Sequence, residues 1–295
     1  MSAASPGRRV ALRVRIETER GRRLDRAFEG AAAGLDSRER AFSHELCYGA
    51  TRLRGRLDHL VAAQLRGKLE DLEPRVLELL RLGAYQILYM DSVPAYAAVS
   101  QSVEQVREEV GPAPAGLVNA VLRKVGAAGD GPERFPRFTD DPLGHLESWG
   151  SHPRWLLERW LRRWGGEEVR ALVEANNRLP RHYLVPLDVG VEDAVAVLER
   201  AGLSAEPAEA DAGCVRLGAG VAPLTALDVL PHAVVQDPGA HLVVLYADVA
   251  EGTKVADLCS APGGKALALA DRPVYTLAAD RSESRLHMVR DNARR

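Results

Sequence analysis

The stretch best equipped for chemistry is Asp257-Leu258-Cys259-Ser260-Ala261-Pro262-Gly263-Gly264-Lys265. The apolar residues Val255 and Ala256 before it read as a strand, Pro262-Gly263-Gly264 as a tight turn, and the alanine- and leucine-rich run that follows as a helix. An acid at the end of a strand, beside a helix amino terminus, puts a carboxylate next to free backbone N–H groups and a positive dipole end. Such a corner can hold a small charged ligand. Gly263 and Gly264 lack a Cβ, so the backbone can take positive φ and approach that ligand closely, while Pro262 stiffens the entry. A second apolar run, Val274 to Ala279, ends in Asp280, seventeen residues after Gly263. In open α/β sheets the ligand sits beyond the carboxyl ends of the strands, and an acid after the second strand typically takes ribose hydroxyls. Asp280 is the ribose candidate.

Two nearby motifs fail on the letters. A phosphate-binding P-loop needs a glycine where Cys259 stands and Ser or Thr where Ala266 stands. The dinucleotide fingerprint needs a G-x-G-x-x-G triplet between strand and helix, and none occurs here. A bare Pro-Gly-Gly is otherwise only a turn, so the assignment rests on the whole string together with Asp280.

That string resembles the S-adenosylmethionine loop of the RNA cytosine-5 methyltransferases. The resemblance implies that Cys259, Ser260, Ala261, Pro262, Gly263, Gly264 and Lys265 form the cofactor loop and that Asp280 binds the ribose. Arg285 and Asn292 stand where that family has an arginine and an asparagine on the next helix; a solvated helix face is the alternative reading. Upstream, LDSRERAFSHELCYGATRLRGRLDHLV, RLGAYQILYMDSVPAYAAVSQSVE and GLVNAVLRKV are similar to the NusB-like helical domain that precedes the methyltransferase in the bacterial 16S ribosomal RNA branch. HPRWLLERW resembles the helix that opens the catalytic module, and Gln236-Asp237 the motif packed ahead of the cofactor strand. Leu184-Val185-Pro186-Leu187 departs from the family's Leu-Arg-Val-Asn. Pro186 cannot donate to a ladder and implies an edge strand or an altered strand end.

Methylating cytosine C5 requires a thiolate that first adds to C6, because C5 is a weak nucleophile. The resemblance implies two cysteines for this, in Pro-Cys and Thr-Cys motifs downstream of the loop, and neither dipeptide occurs. Cys47 falls on a core helix, Cys214 on a strand and Cys259 in the loop, so no catalytic residue is assigned and the nucleophile is expected beyond Arg295. The family's sheet has seven strands against the two legible here. An incomplete methyltransferase domain with weak or no cofactor affinity is therefore expected.

The elements that must position this corner follow from periodicity. The expected fold is multi-domain: an all-α NusB-like bundle over 1–126, a Gly/Pro/Asp-rich linker over 127–148, a helical and α+β RNA-binding subdomain over 149–230, and over 231–295 the start of an α/β, Rossmann-like class I methyltransferase domain. Within the bundle, Asp36 or Ser37 caps one long helix carrying Phe42, Leu46, Leu53, Leu57, Leu60 and Val61, and Pro74 opens the most apolar helix. In the α+β stretch, His182 to Leu187 and Cys214 to Leu217 read as strands and Val191 to Ala201 as a helix. Residues 8–26 carry eight arginines, a candidate for nonspecific RNA attraction or a solvated face. All four tryptophans fall between Trp149 and Trp164 beside Arg154, Arg159, Arg162 and Arg163, as packing anchors or as base-stacking groups.

A net charge of −2 over 295 residues argues against wholesale coating of nucleic acid, so local charge must carry any RNA contact. Three separated cysteines without metal spacing suggest a reducing cytoplasm and no zinc. No run of about 20 apolar residues could span a bilayer. The reading is an S-adenosylmethionine-dependent enzyme, monomeric and metal-free, acting on 16S ribosomal RNA. The rival is a catalytically inactive NusB-like module that binds RNA or protein.

Overall fold

The computed structural model describes residues 4–209 and 212–295, which divide into two compact units, 1–178 and 179–295. The first unit opens with a bundle of seven helices: α1 (Pro6–Glu19), α2 (Leu24–Ala32), α3 (Ser37–Arg52), α4 (Arg54–Ala62), α5 (Pro74–Tyr89), α6 (Ala95–Glu109) and α7 (Ala115–Ala128). Proline stands in the first turn of α1 and α5, where its missing N–H costs nothing. Asp36 caps α3 by accepting from the Glu39 amide at 2.8 Å, and Glu73 caps α5 through the Val76 amide. The single long helix expected after Asp36 is two, because the chain turns at Leu53 (φ −98°, ψ 21°) and restarts as α4.

The most apolar helix, α5, forms the buried centre, with Leu79, Leu80, Leu82, Ala84 and Tyr85 in one cluster with Leu46, Leu57, Val118 and Leu122. Gly83 lets α6 and α7 approach it: a Cβ there would lie 2.5 Å from Leu122 Cδ1 and 2.8 Å from Ser102 Oγ. His44 and His59 are part of the packing. The His44 ring stacks on Tyr48 at 4.1 Å, and His59 Nε2 lies 2.8 Å from the Arg134 carbonyl oxygen.

The basic stretch at the start of the bundle is largely absorbed by intramolecular bonds. Arg8 donates to Gln86 at 2.7 Å, Arg13 and Arg22 both pair with Glu17, and Arg23 pairs with Asp25. Arg15 is fully buried, donating to Glu78 at 2.8 Å and Thr51 at 2.6 Å. Glu78 also accepts from Arg81, which continues to Asp58 at 2.6 Å. Periodicity could not show the buried part of this, because Glu78, the acid that neutralises Arg15, lies on α5.

Residues 127–148, expected as a linker, are partly folded: α8 (Pro142–Ser148) buries Leu146 completely. With α9 (Arg154–Arg163) and α10 (Gly166–Asn177) it encloses a small core of Leu146, Leu157, Val169 and Val173. These three helices therefore belong to the first unit, and the division falls at Arg178 rather than near residue 149.

The second unit begins with β1 (Tyr183–Pro186), α11 (Val191–Arg200), β2 (Ala205–Pro207), β3 (Val215–Leu217), α12 (Pro223–Val229) and β4 (Ala233–Val235). The strands form one antiparallel sheet in the order β2-β3-β1-β4, the split β-α-β-β-α-β arrangement. Leu184, Ala194, Leu198, Val215, Leu217, Ala226 and Leu227 fill its core. Thus β1 is a central strand, and Pro186 sits at its last position, opposite Ala233, where the ladder ends. The sheet also claims β4, beyond the expected boundary at 230.

A β-α-β unit follows: α13 (Pro238–Ala247), β5 (Lys254–Asp257), α14 (Gly264–Ala270), β6 (Tyr275–Ala278) and α15 (Glu283–Arg294). β5 and β6 are parallel, with Asp257 opposite Ala278.

Glu78 provides a test of the bundle. Burial pushes its pKa up, but Arg15 and Arg81 outweigh burial and hold it below the ordinary carboxylate value. A carboxyl depressed in the folded state contributes stability that is whole above its unfolded pKa and is lost as pH falls through the folded one. Glu78→Gln should cost about 3–5 kcal/mol at neutral pH by leaving buried guanidinium charge unpaired. It should also lose less melting temperature than wild type between pH 7 and 3. Circular-dichroism melts across that range check both; equal acid sensitivity contradicts the assignment.

Candidate functional site

The corner between β5 and α14 is held from three sides. Ser260, buried, donates from both its amide and its Oγ to the Ala279 carbonyl, each at 2.9 Å, tying the loop to the end of β6. Arg285 on α15 donates to the Ala261 carbonyl at 2.8 Å, and Asn292, two turns on, to that of Pro262 at 2.9 Å. The solvated-face reading of these two residues is therefore replaced by a clamp on the loop backbone. The Ala261–Pro262 peptide is cis, and Gly263 follows at φ +113°, a conformation that side chains rarely adopt. A Cβ on Gly263 would lie 3.4 Å from Val289 Cγ1.

The acids stand at the two strand ends. Asp257 Oδ1 accepts from the Cys259 amide at 3.2 Å, while its Oδ2 is buried without a partner. Asp280 Oδ1 accepts from the Ser282 amide at 3.0 Å, and Arg285 Nη1 lies 3.8 Å from Oδ2. The Ser282 amide first, then Arg285 and the Ala261 amide, hold the Asp280 carboxyl below its ordinary range, so it is an acceptor at neutral pH.

Of the residues singled out in the sequence, Ser260, Ala261 and Gly263 are buried in the turn, Gly264 opens α14, and Cys259, Pro262 and Lys265 are exposed. Loop and Asp280 meet through Ser260–Ala279 and through Arg285, which spans from Ala261 to Asp280. One residue outside that set belongs beside them. Gln236, buried, lies where a Cβ on Gly264 would come within 3.3 Å of its Nε2, and its Oε1 has no partner. Thr276, opposite Val255 within β6, also has a buried Oγ1 without a partner. The Gln-Asp pair was the only signal for Gln236; Asp237 caps α13 through the Gly239 amide at 2.8 Å. Nothing in the letters marks Thr276.

Two unsatisfied buried oxygens, Gln236 Oε1 and Asp257 Oδ2, lie at this loop, where buried polar atoms are ordinarily paired. They supply acceptors of the kind a polar nucleoside-type ligand engages. Burial pushes the Cys47 thiol up to about 12 and Cys214 up to about 11, so neither is a thiolate at neutral pH. Among the described residues no group of three or more His, Cys, Asp or Glu could hold a metal ion, and no helix is long and apolar enough to cross a membrane.

Comparison with known proteins accords with this architecture. Residues 7–127 match the NusB family, and residues 152–222 match the RsmF/B-like ferredoxin-like domain. The chain therefore carries a NusB-like domain followed by an RsmF/B-like ferredoxin-like domain. It is 30% identical over 97% of its length to ribosomal RNA small subunit methyltransferase B of Serratia proteamaculans (strain 568), covering 66% of that protein. It is 34% identical over 93% of its length to the protein of the same name from Vibrio cholerae serotype O1, covering 63%. The chain thus spans slightly less than two thirds of these relatives. The crystal structure of PH0851 superposes with a TM-score of 0.68 at 19% identity, over 100% of this chain and 67% of that one, and shares its fold. The sheet adds what the 152–222 match leaves out, since α12 and β4 complete the ferredoxin-like unit.

Gly263→Ala tests the corner itself. At φ +113° it should cost about 1–3 kcal/mol, read as earlier melting and faster proteolysis after residue 250, while Gly34→Ala, without a positive φ and with open space around an added Cβ, leaves the loop's proteolysis unchanged. Equal loop protection in the two variants contradicts a rigid turn.

Proposed function

We propose that this chain is the RNA-binding and cofactor-loop portion of an S-adenosylmethionine-dependent enzyme that methylates cytosine C5 in 16S ribosomal RNA. The observation that carries the reading is the clamped loop between Asp257 and Asp280, with unsatisfied buried oxygens beside it. The names of the relatives, ribosomal RNA methyltransferases, support the reaction class.

The residues fit the cofactor. Asp280, ionised and fixed by the Ser282 amide, would accept from the ribose hydroxyls. Gly263 and Gly264 would let the backbone approach the amino-acid and nucleoside portions, with Asp257 and Gln236 supplying acceptors. When bound, S-adenosylmethionine supplies a sulfonium-activated methyl group. Arg285 and Asn292 hold the loop carbonyls of Ala261 and Pro262, and a turn fixed in this way would lose little ordering entropy on binding. Cys47 and Cys214 are buried thiols, and Cys259 lies in the loop, so none of the three is assigned as the nucleophile that adds to cytosine C6.

A version as long as the relatives should transfer labelled methyl groups to cytosine in 16S ribosomal RNA. Asp280→Ala should raise the KM for S-adenosylmethionine about 10- to 100-fold, the loss of charge-assisted hydrogen bonds to the ribose. Absence of label from cytosine contradicts the reading; RNA binding without any transfer supports the inactive binding module instead.

A further inference from the structure

The helix α9 has two unlike faces. Leu157 is fully buried, and Trp160 and Leu161 pack beside it against Leu146, Val169 and Val173. On the other side Trp155 is 65% exposed, with Arg159 and Arg162 four and seven residues further along the same face. Arg163 flanks them, its guanidinium 5.6 Å from the centre of the Trp164 ring, which is 40% exposed. The four tryptophans thus divide. Trp149, under Arg56 at 4.8 Å, and Trp160 are anchors, whereas Trp155 and Trp164 face water.

The charge on this face is uncompensated. The only acid on α9, Glu158, pairs with Arg154, which also takes Glu147 of α8. On α10, Glu167 and Glu174 pair with Arg170, and Glu168 accepts from the Gly165 amide. Arg159 and Arg162 make no hydrogen bond or ion pair among the described residues. Arginines in a last turn gain from the helix dipole, which accounts for Arg162 and Arg163 but not for an indole left in water in the first turn. Burying that indole would release a large apolar area, and free guanidinium groups beside it call for a ligand that alternates flat rings with anions.

We propose that the Trp155–Arg159–Arg162 face of α9 docks single-stranded RNA, Trp155 stacking on an unpaired base while the two guanidinium groups meet flanking phosphates. The proposal rests on the RNA-substrate reading, but at a surface that includes none of the cofactor-loop residues. Duplex RNA does not suit it, because paired bases offer no free face to the indole.

The test uses the 295-residue chain and a fluorescein-labelled 20-nucleotide single strand, followed by anisotropy from 50 to 200 mM salt. Trp155→Ala should weaken binding about 5- to 100-fold with the salt slope retained, and Trp155→Phe should recover most of it. Arg159→Ala/Arg162→Ala should reduce the slope of log K against log salt by about 1.4. Because Trp155 and both arginines are exposed, helical content by circular dichroism should not change. Binding unchanged within twofold in Trp155→Ala overturns the proposal, as does equal competition by a duplex, or binding to anionic vesicles in place of RNA. If the longer version still methylates 16S ribosomal RNA while Trp155→Ala binds normally, only the α9 surface falls and the enzymatic reading stands.

Discussion

One carbonyl organises the candidate site. The carbonyl of Ala279, just after β6, accepts from both the amide and the hydroxyl of Ser260, and this pair of hydrogen bonds to one oxygen brings the β5–α14 loop against the end of the neighbouring strand. Everything else at the corner depends on that registration. It sets Asp257 and Asp280 at adjacent strand ends, because parallel pairing places Asp257 opposite Ala278. It also brings the loop carbonyls under α15, where Arg285 and Asn292 take them. Serine suits the position because its hydroxyl adds a second donor to the backbone amide.

The two units are stabilised by different means. The helical bundle depends on a conventional apolar core crossed by a charged chain, Arg15–Glu78–Arg81–Asp58, in which each buried charge has a hydrogen-bonded counterpart. Such a chain is a modest source of net stability but a strong constraint on helix registry, because any slip leaves a charge unpaired in a dry environment. The β-α-β corner has a small core, Val244, Ala268 and Leu269, and holds its loop mainly by hydrogen bonds to backbone carbonyls. A site of this kind can leave polar atoms unsatisfied for a ligand, at the cost of local stability.

How much of this was legible in the letters varied with the range of the interactions. Helices α5 to α7, the strand-turn-helix at Asp257 to Lys265 and the acid at 280 were readable because each is a local pattern of apolar spacing, proline and glycine. The break at Leu53, the folding of residues 142–148 and the central place of β1 were not, since they depend on what packs from far along the chain. The arginines of α1 show the same limit: composition marks them as basic, while their partners Glu78 and Gln86 lie some seventy residues away. The roles of Arg285 and Asn292 depend on the fold, because a donor to a carbonyl and a solvated side chain look alike in sequence. Gln236 was visible as part of a motif but not as a neighbour of Gly264.

The central claim is that the corner between Asp257 and Asp280 receives a sulfonium nucleoside. It is tested most directly by titrating the isotopically labelled chain with S-adenosylhomocysteine and following backbone amides by nuclear magnetic resonance, which registers weak binding as well as tight. The account predicts saturable shifts concentrated at Gly263, Gly264 and Asp280, absent on titration with an equal concentration of adenosine diphosphate. Shifts that avoid these residues, or that appear equally with either ligand, would contradict it.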